Sequence, residues 1–135
     1  MVKEYQEEEI PAVYNLDEIP PYNIRQGVDL HIFRGVDTLL STATIEPDTE
    51  LETNPHSHPW EQIVYIIQGS VYYNVGDERI HVSEGDMFLI PPDVEHYAEQ
   101  DPECEETVIN LDVFPMREDY AEHTDYQREF VTTND

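Results

Sequence analysis

From Val28 onward the chain alternates apolar and polar positions with the period of two that marks a half-buried strand. Residues 28–34, 38–45, 62–68, 71–75, 79–82, 87–90 and 107–114 read as strands, and His96 opens a further short one. The connections carry turn chemistry. Gly69 separates two strands, Gly76-Asp77 makes a tight hairpin, Gly85-Asp86 starts another strand, and Pro91-Pro92-Asp93 turns the chain again. Short strands at such spacings predict an antiparallel sandwich or barrel. No internal repeat and no helix long enough to form a layer is visible.

Before the first strand, residues 1–21 are acidic and interrupted by Pro11, Pro20 and Pro21, so they read as an N-terminal arm. Residues 22–115 form the barrel, and residues 116–135 read as a C-terminal tail with weak helical potential and a loose end. Residues 10–22 also carry Ile10, Val13, Tyr14, Ile19 and Tyr22 with no partner nearby in sequence, so the arm can instead lie across a second subunit.

At 135 residues the chain is one domain by length and large enough to bury a core unaided. The net charge of -25, from 31 acidic and six basic residues, changes the picture more than the length does. Such a surface repels phosphate, so neither nucleic acid nor an anionic membrane is expected as a partner. Lys3 is the single lysine. Acidic excess with lysine nearly absent resembles proteins of salt-accumulating halophiles, where molar salt shortens the screening length to about 3 Å. A single cysteine, Cys104, excludes an internal disulfide, and its acidic neighbours disfavour a thiolate. With no N-terminal apolar region and no apolar run near the length of a membrane span, the expectation is a soluble, cytoplasmic protein.

The chemistry concentrates in two segments. His56-Ser-His58-Pro-Trp-Glu-Gln62 places two imidazoles two residues apart, on one side of a strand if the strand is regular. Gln62 shares their parity and Glu61 does not, although Pro59 can disturb the count. The second segment runs from Gly85 through Pro91 to His96. His31, His81 and His123 have no spacing partners and read as surface residues. Tyr65, Tyr72 and Tyr73 read as strand aromatics, with Tyr73 assigned to a pocket wall.

Together the segments resemble the two motifs of the cupin superfamily. The first reads His56-x-His58, three residues, Gln62, six residues, Gly69; the second reads Gly85, five residues, Pro91, x, Asp93, two residues, His96. Asp93 stands where the family has a glycine, Gln62 where it usually has a glutamate, and Glu50 where it often has the first glycine. The resemblance, over residues 36–114, implies a double-stranded β-helix, or jelly roll, with a metal in its mouth. The ligands implied are His56, His58, Gln62 and His96 around one divalent transition metal ion: nickel, iron, manganese, zinc or cobalt. Three neutral imidazoles and a neutral amide would leave the ion its full charge and a strong Lewis acidity.

The closing segment Asp112-Val-Phe114-Pro-Met-Arg117-Glu-Asp119-Tyr120 resembles the end of small pectin-degradation cupins, which linearise unsaturated uronates. That resemblance implies Asp112 as proton shuttle, Arg117 as carboxylate clamp and Phe114 beside the sugar, although Arg117 comes one residue early and can instead pair with the acidic tail. It also implies a homodimer and a small-molecule substrate. Three functions follow as expectations: a metal-dependent isomerase or lyase on a small carboxylated sugar or keto acid, a cupin dioxygenase using iron or manganese, or a metabolite-binding cupin without turnover. The charge pattern predicts that the thermal midpoint falls on dialysis from molar KCl into dilute buffer; equal midpoints in the two would rule out salt dependence.

Overall fold

The computed structural model describes residues 2–133. Eleven strands run in chain order as β1 Val2–Tyr5, β2 Tyr22–Arg25, β3 Val28–Arg34, β4 Thr38–Ile45, β5 Gln62–Gln68, β6 Ser70–Val75, β7 Glu78–Ser83, β8 Met87–Ile90, β9 His96–Gln100, β10 Val108–Pro115 and β11 Phe130–Thr133. One short helix, α1, spans Glu118–Ala121. The expected strands are all present, with ends differing by a residue where β6, β7 and β10 gain or lose a ladder position. The architecture is antiparallel and nearly all-β, as the sequence predicts.

A six-stranded sheet in the order β2-β3-β4-β10-β5-β8 and a three-stranded sheet in the order β7-β6-β9 enclose the core. Val64, Ile66, Ile90 and Val108 from the large sheet meet Val71, Tyr73 and Val82 from the small one. A second cluster, built on Leu30, Ile32, Leu39 and Phe114, fills the other end, beside α1. Gly69 has φ +82 and a Cβ there would stand 3.1–3.2 Å from Val108, so both conformation and space call for glycine. Asp93 takes the left-handed conformation itself, at φ 65, which is how this chain replaces the motif glycine.

The termini depart from the sequence reading. β1 pairs with β11, so the arm and tail form a two-stranded sheet of their own. The Tyr14 ring packs on Phe33 and Tyr126, and its hydroxyl donates to Glu129 at 2.9 Å. Ile19 is buried and Tyr22 stacks on His123. Gln127 in the tail exchanges two side-chain hydrogen bonds with the Arg34 backbone, extending the edge of β3. The loose tail and the unpartnered arm are therefore corrected for the described residues: three of the five apolar arm residues find partners in their own chain. Those partners lie across the length of the sequence, where periodicity cannot reveal them. Residues 1, 134 and 135 lie outside the described residues. Among the described residues no helix is long and apolar enough to cross a membrane.

Asp101, buried at the end of β9, ties the small sheet together. Its carboxylate accepts from the Ser70 hydroxyl and the His81 ring, each at 2.7 Å, and from the Glu103 N–H at 3.0 Å. The Ser70 hydroxyl first, then His81, hold its pKa down to about 2. A carboxyl depressed on folding stabilises the fold above its unfolded value of 3.8, and that contribution is lost as pH falls through about 2. Asp101→Asn is expected to lower the urea midpoint at pH 6, with the gap to wild type closing between pH 4 and pH 2. A gap that stays constant over this range would show that the carboxylate charge is not what stabilises the sheet.

Candidate metal centre

His56 lies in the irregular segment before β5 and reaches β9 through one antiparallel bridge with His96. Their backbones exchange two hydrogen bonds, of 3.2 and 2.9 Å, and the Asp93 N–H donates to the His58 carbonyl at 2.8 Å. The two sequence motifs are thus fastened by main chain. The regular strand expected through His56 and His58 is absent, because Pro59 follows within a bend. The rings still converge, with centroids 4.3 Å apart for His56 and His96, 4.9 Å for His58 and His96, and 6.4 Å for His56 and His58.

Hydrogen bonds settle which ring nitrogens face inward. Nδ1 of His58 lies 2.8 Å from the Trp60 carbonyl, and Nδ1 of His96 lies 2.9 Å from the Val94 carbonyl. A carbonyl only accepts, so each Nδ1 carries a proton and each ring turns its Nε2 toward the cavity. His96 Nε2 is buried with no hydrogen-bond partner among the described residues. Burial lowers the pKa of both His56 and His96, with the His58 charge acting next on His56, which keeps them in the neutral form that binds metals.

Gln62 opens β5 and points inward, while Glu61 is exposed, as parity requires. The Gln62 amide nitrogen donates to Asp112 at 2.9 Å, so its oxygen is turned to His58 Nε2, 3.2 Å away. In the Nδ1-protonated neutral form of His58 a lone pair would face this carbonyl oxygen, beside the His96 Nε2 that has no partner among the described residues. A cation among these groups would relieve both, so the donor set fits a divalent transition metal. Among the described residues no three His, Cys, Asp or Glu side chains stand in finished ligand geometry. The fourth donor is an amide, and the His58 ring is stacked flat on Trp60, with centroids 5.0 Å apart.

Asp112 is buried on β10, where Asn110 also donates to it at 2.9 Å. Burial raises its pKa to about 6, against the opposing hydrogen bonds from Gln62 and Asn110 and the Arg117 charge. Phe114 and Tyr73 are buried, and burial pushes the Tyr73 hydroxyl well above its usual value. The Arg117 guanidinium sits 3.7 Å from the centre of the Tyr120 ring and 4.9 Å from those of Trp60 and Phe114. Its fork is bidentate to Asp119, at 2.8 and 2.6 Å, so the pairing with the acidic tail is realised.

All eight residues singled out in the sequence line one cavity of ≈ 240 Å³ between the sheets. Larger hollows of ≈ 480 and ≈ 620 Å³ lie at acidic turns and contain none of the three imidazoles. His31, His81 and His123 stay outside the site; His81 serves Asp101 instead. Asn110 and Tyr120 also line the cavity and were not foreseen. Asn110 could have been found from its parity with Asp112 on β10, and Tyr120 ends the closing segment that begins at Asp112, where no role is assigned to it.

The family model for the AraC-like ligand binding domain matches residues 40–131. Among curated proteins, gentisate 1,2-dioxygenase of Haloferax sp. is 36% identical over 67 residues, covering 50% of this chain and 18% of that protein. A 3-hydroxyanthranilate 3,4-dioxygenase of Burkholderia cenocepacia is 28% identical over 99 residues, covering 62% of this chain and 54% of that protein. The chain thus spans about half or less of these relatives' lengths. Among solved structures, an RmlC-like cupin from Shewanella frigidimarina superposes with a TM-score of 0.69 at 22% identity, over 81% of this chain and 95% of that one. KdgF from Halomonas sp. gives 0.69 at 24% identity, over 80% of this chain and 97% of that one. These likenesses to solved structures establish a cupin-like fold, and the family match covers the site-bearing strands, so the chain belongs to the AraC-like ligand binding domain family.

Proposed function

We propose that this chain is a metal-dependent enzyme that isomerises or eliminates on a small carboxylated sugar or keto acid by proton transfer, without net redox change. The observation that carries this reading is the placement of the Asp112 carboxylate. It is buried in the cavity wall and hydrogen-bonded to the amide whose oxygen faces the imidazoles. A titratable group so close to the donor set is placed to move a proton on whatever the cavity holds. His56, His58, Gln62 and His96 would hold the ion. When bound, it supplies Lewis acidity that polarises a carbonyl or enolate.

The remaining roles belong to the protein. Asp112 takes up or delivers the proton, and Asn110 and Gln62 keep its oxygens in place. Arg117, oriented by Asp119 and its aromatic neighbours, presents positive charge to a substrate carboxylate. Phe114 and Tyr73 give the cavity apolar walls that exclude water, and ≈ 240 Å³ suits a small metabolite.

A second reading, a dioxygenase using iron or manganese in the same ligands, is favoured by the curated relatives, both of which are dioxygenases by name. The family description, a ligand binding domain, favours a third, binding without turnover. Assay under strict anaerobiosis separates the first two, because only the dioxygenase requires O₂. Turnover of any kind excludes the third.

Elemental analysis of protein purified without added metal is expected to find about one transition metal ion per chain. His96→Ala should lose it, and Gln62→Ala should lose less, because water can replace a neutral amide. Full stoichiometry and unchanged affinity in His96→Ala would refute the ligand assignment.

For catalysis, unsaturated galacturonate is the test substrate, followed anaerobically by loss of the ring alkene. Asp112→Asn is expected to lower kcat by about 10²–10⁴-fold with metal retained. Arg117→Lys should mainly raise KM, since an ammonium cannot reproduce the guanidinium fork. Wild-type rates in Asp112→Asn would remove its assigned role, and a wild type inert with every candidate metal would remove the uronate reading.

A further inference from the structure

The cavity wall is divided between polar and hydrocarbon side chains. Beside the groups with a role in the proposed chemistry, it is lined by Ile24, Val28, Leu30, Ala43, Ile45 and Ala98. None of these side chains can donate or accept a hydrogen bond.

The strand register shows how the two parts meet. Between β10 and β4, Asp112 stands opposite Ser41, Asn110 opposite Ala43, and Val108 opposite Ile45. Between β3 and β4, Leu30 stands opposite Ala43 and Val28 opposite Ile45. Successive inward positions of β10 thus pass from a carboxylate to an amide to hydrocarbon. The small sheet repeats the gradient: the inward position after His96 on β9 is Ala98, paired across the strands with Tyr73. Burial first, and then the Asp112 charge, raises the Tyr73 hydroxyl, so that hydroxyl belongs to the polar end. An alanine marks the boundary on each sheet, leaving room that a larger aliphatic side chain would fill.

Most polar groups at this boundary are already committed. The amides of Asn110 and Gln62 donate to Asp112, and the Arg117 fork holds Asp119. The Asn110 side-chain oxygen is buried with no hydrogen-bond partner among the described residues, and beyond it Val28, Ile45 and Ala98 offer none. A sugar acid carries hydroxyls along its carbon chain, and a hydroxyl buried against hydrocarbon loses its water without replacement. A hydrocarbon body gains from the same burial.

We propose, on the proton-transfer reading above, that of its two substrate classes the cavity takes the oxo acid, one with a compact branched hydrocarbon body, and that Ala43 and Ala98 set the size of body accepted. The charged and carbonyl end goes to Arg117 and the ion's donor set, and the body lies against the alanines and the Val28–Ile45 pair. The C–H beside the carbonyl, which is the acidic one, then falls between the two ends, where Asp112 stands. Its proton goes to the Asp112 carboxylate and its electron pair forms the enolate. Reversal restores the oxo acid with a solvent proton in place.

Calorimetric titration of the metal-loaded full chain in molar KCl, with pyruvate, the oxo acids of valine and leucine, and galacturonate, tests the substrate class. The leucine acid should bind at least about tenfold more tightly than pyruvate, and galacturonate more weakly than the leucine acid. Ala43→Val should weaken the leucine acid about tenfold and leave pyruvate within about twofold. Ala98→Val, on the opposite sheet, makes the same test if Ala43→Val loses the native circular dichroism, and the wild-type series stands without either. Affinities that do not rise with the size of the body, or galacturonate bound most tightly, would overturn the substrate class. Equal losses for pyruvate and the leucine acid in natively folded variants would overturn the role of the alanines. Exchange of the C–H proton in deuterium oxide, followed by NMR without oxygen, reads the chemistry separately. Size-dependent binding without exchange would leave the substrate class standing and remove the proton-transfer reading.

Discussion

The site is organised around the burial of one carboxylate, Asp112. An ionised group taken out of water is costly unless donors reach it, and β10 and β5 supply two: the amides of Asn110 and Gln62. Because the carboxylate accepts from the Gln62 nitrogen, the Gln62 oxygen is left facing His58. A single buried charge thereby orients the amide, and the amide completes the set of lone pairs on the imidazoles. The same requirement shapes β10. Its inward positions are given to polar groups that serve the cavity, and its apolar residues fall on the opposite face by the period of two.

The imidazoles depend on a second constraint, imposed by main chain. His56 and His96 come from segments forty residues apart, and reciprocal backbone hydrogen bonds hold them together. Asp93, in the left-handed conformation, turns the chain so that its N–H meets the His58 carbonyl. The carbonyls of Trp60 and Val94 then fix the ring tautomers. Five contacts to main chain thus join the two segments and fix the His58 and His96 rings. That preorganisation explains why two short motifs carry the site although His56 and His58 lie outside any regular strand.

Much of this was legible in the sequence because it is local or periodic. Strand boundaries followed the alternation, the gaps between His56, His58, Gln62 and His96 matched known motifs, and the parity argument separated Gln62 from Glu61. The misreadings share one cause, which is contact between remote segments. The arm looked unpartnered because Tyr14 meets Tyr126 and Glu129 more than a hundred residues away. Arg117 is the intermediate case. Sequence offered either a clamp or an ion pair, and the folded chain has the ion pair with Asp119 while the guanidinium still lines the cavity.

Surface charge and site charge pull in opposite directions. A shell carrying -25 repels an anionic metabolite, which the proposed reaction requires as its substrate. Two features reduce the conflict. In molar salt the repulsion reaches only about 3 Å, so approach to the cavity mouth is governed by the groups lining it. There burial lowers the pKa of His56 and His96, and the Arg117 cation rests among the Trp60, Phe114 and Tyr120 rings, where less water screens it. Asp119 offsets part of that charge, but it is exposed to solvent while the Arg117 side chain is 14% exposed. A carboxylate entering from the cavity side therefore meets the more buried face of the cation. An acidic exterior and the anion-accepting interior that the proposed reaction needs are compatible in one small chain, provided that the solvent is salty and the cation is held inside the rim.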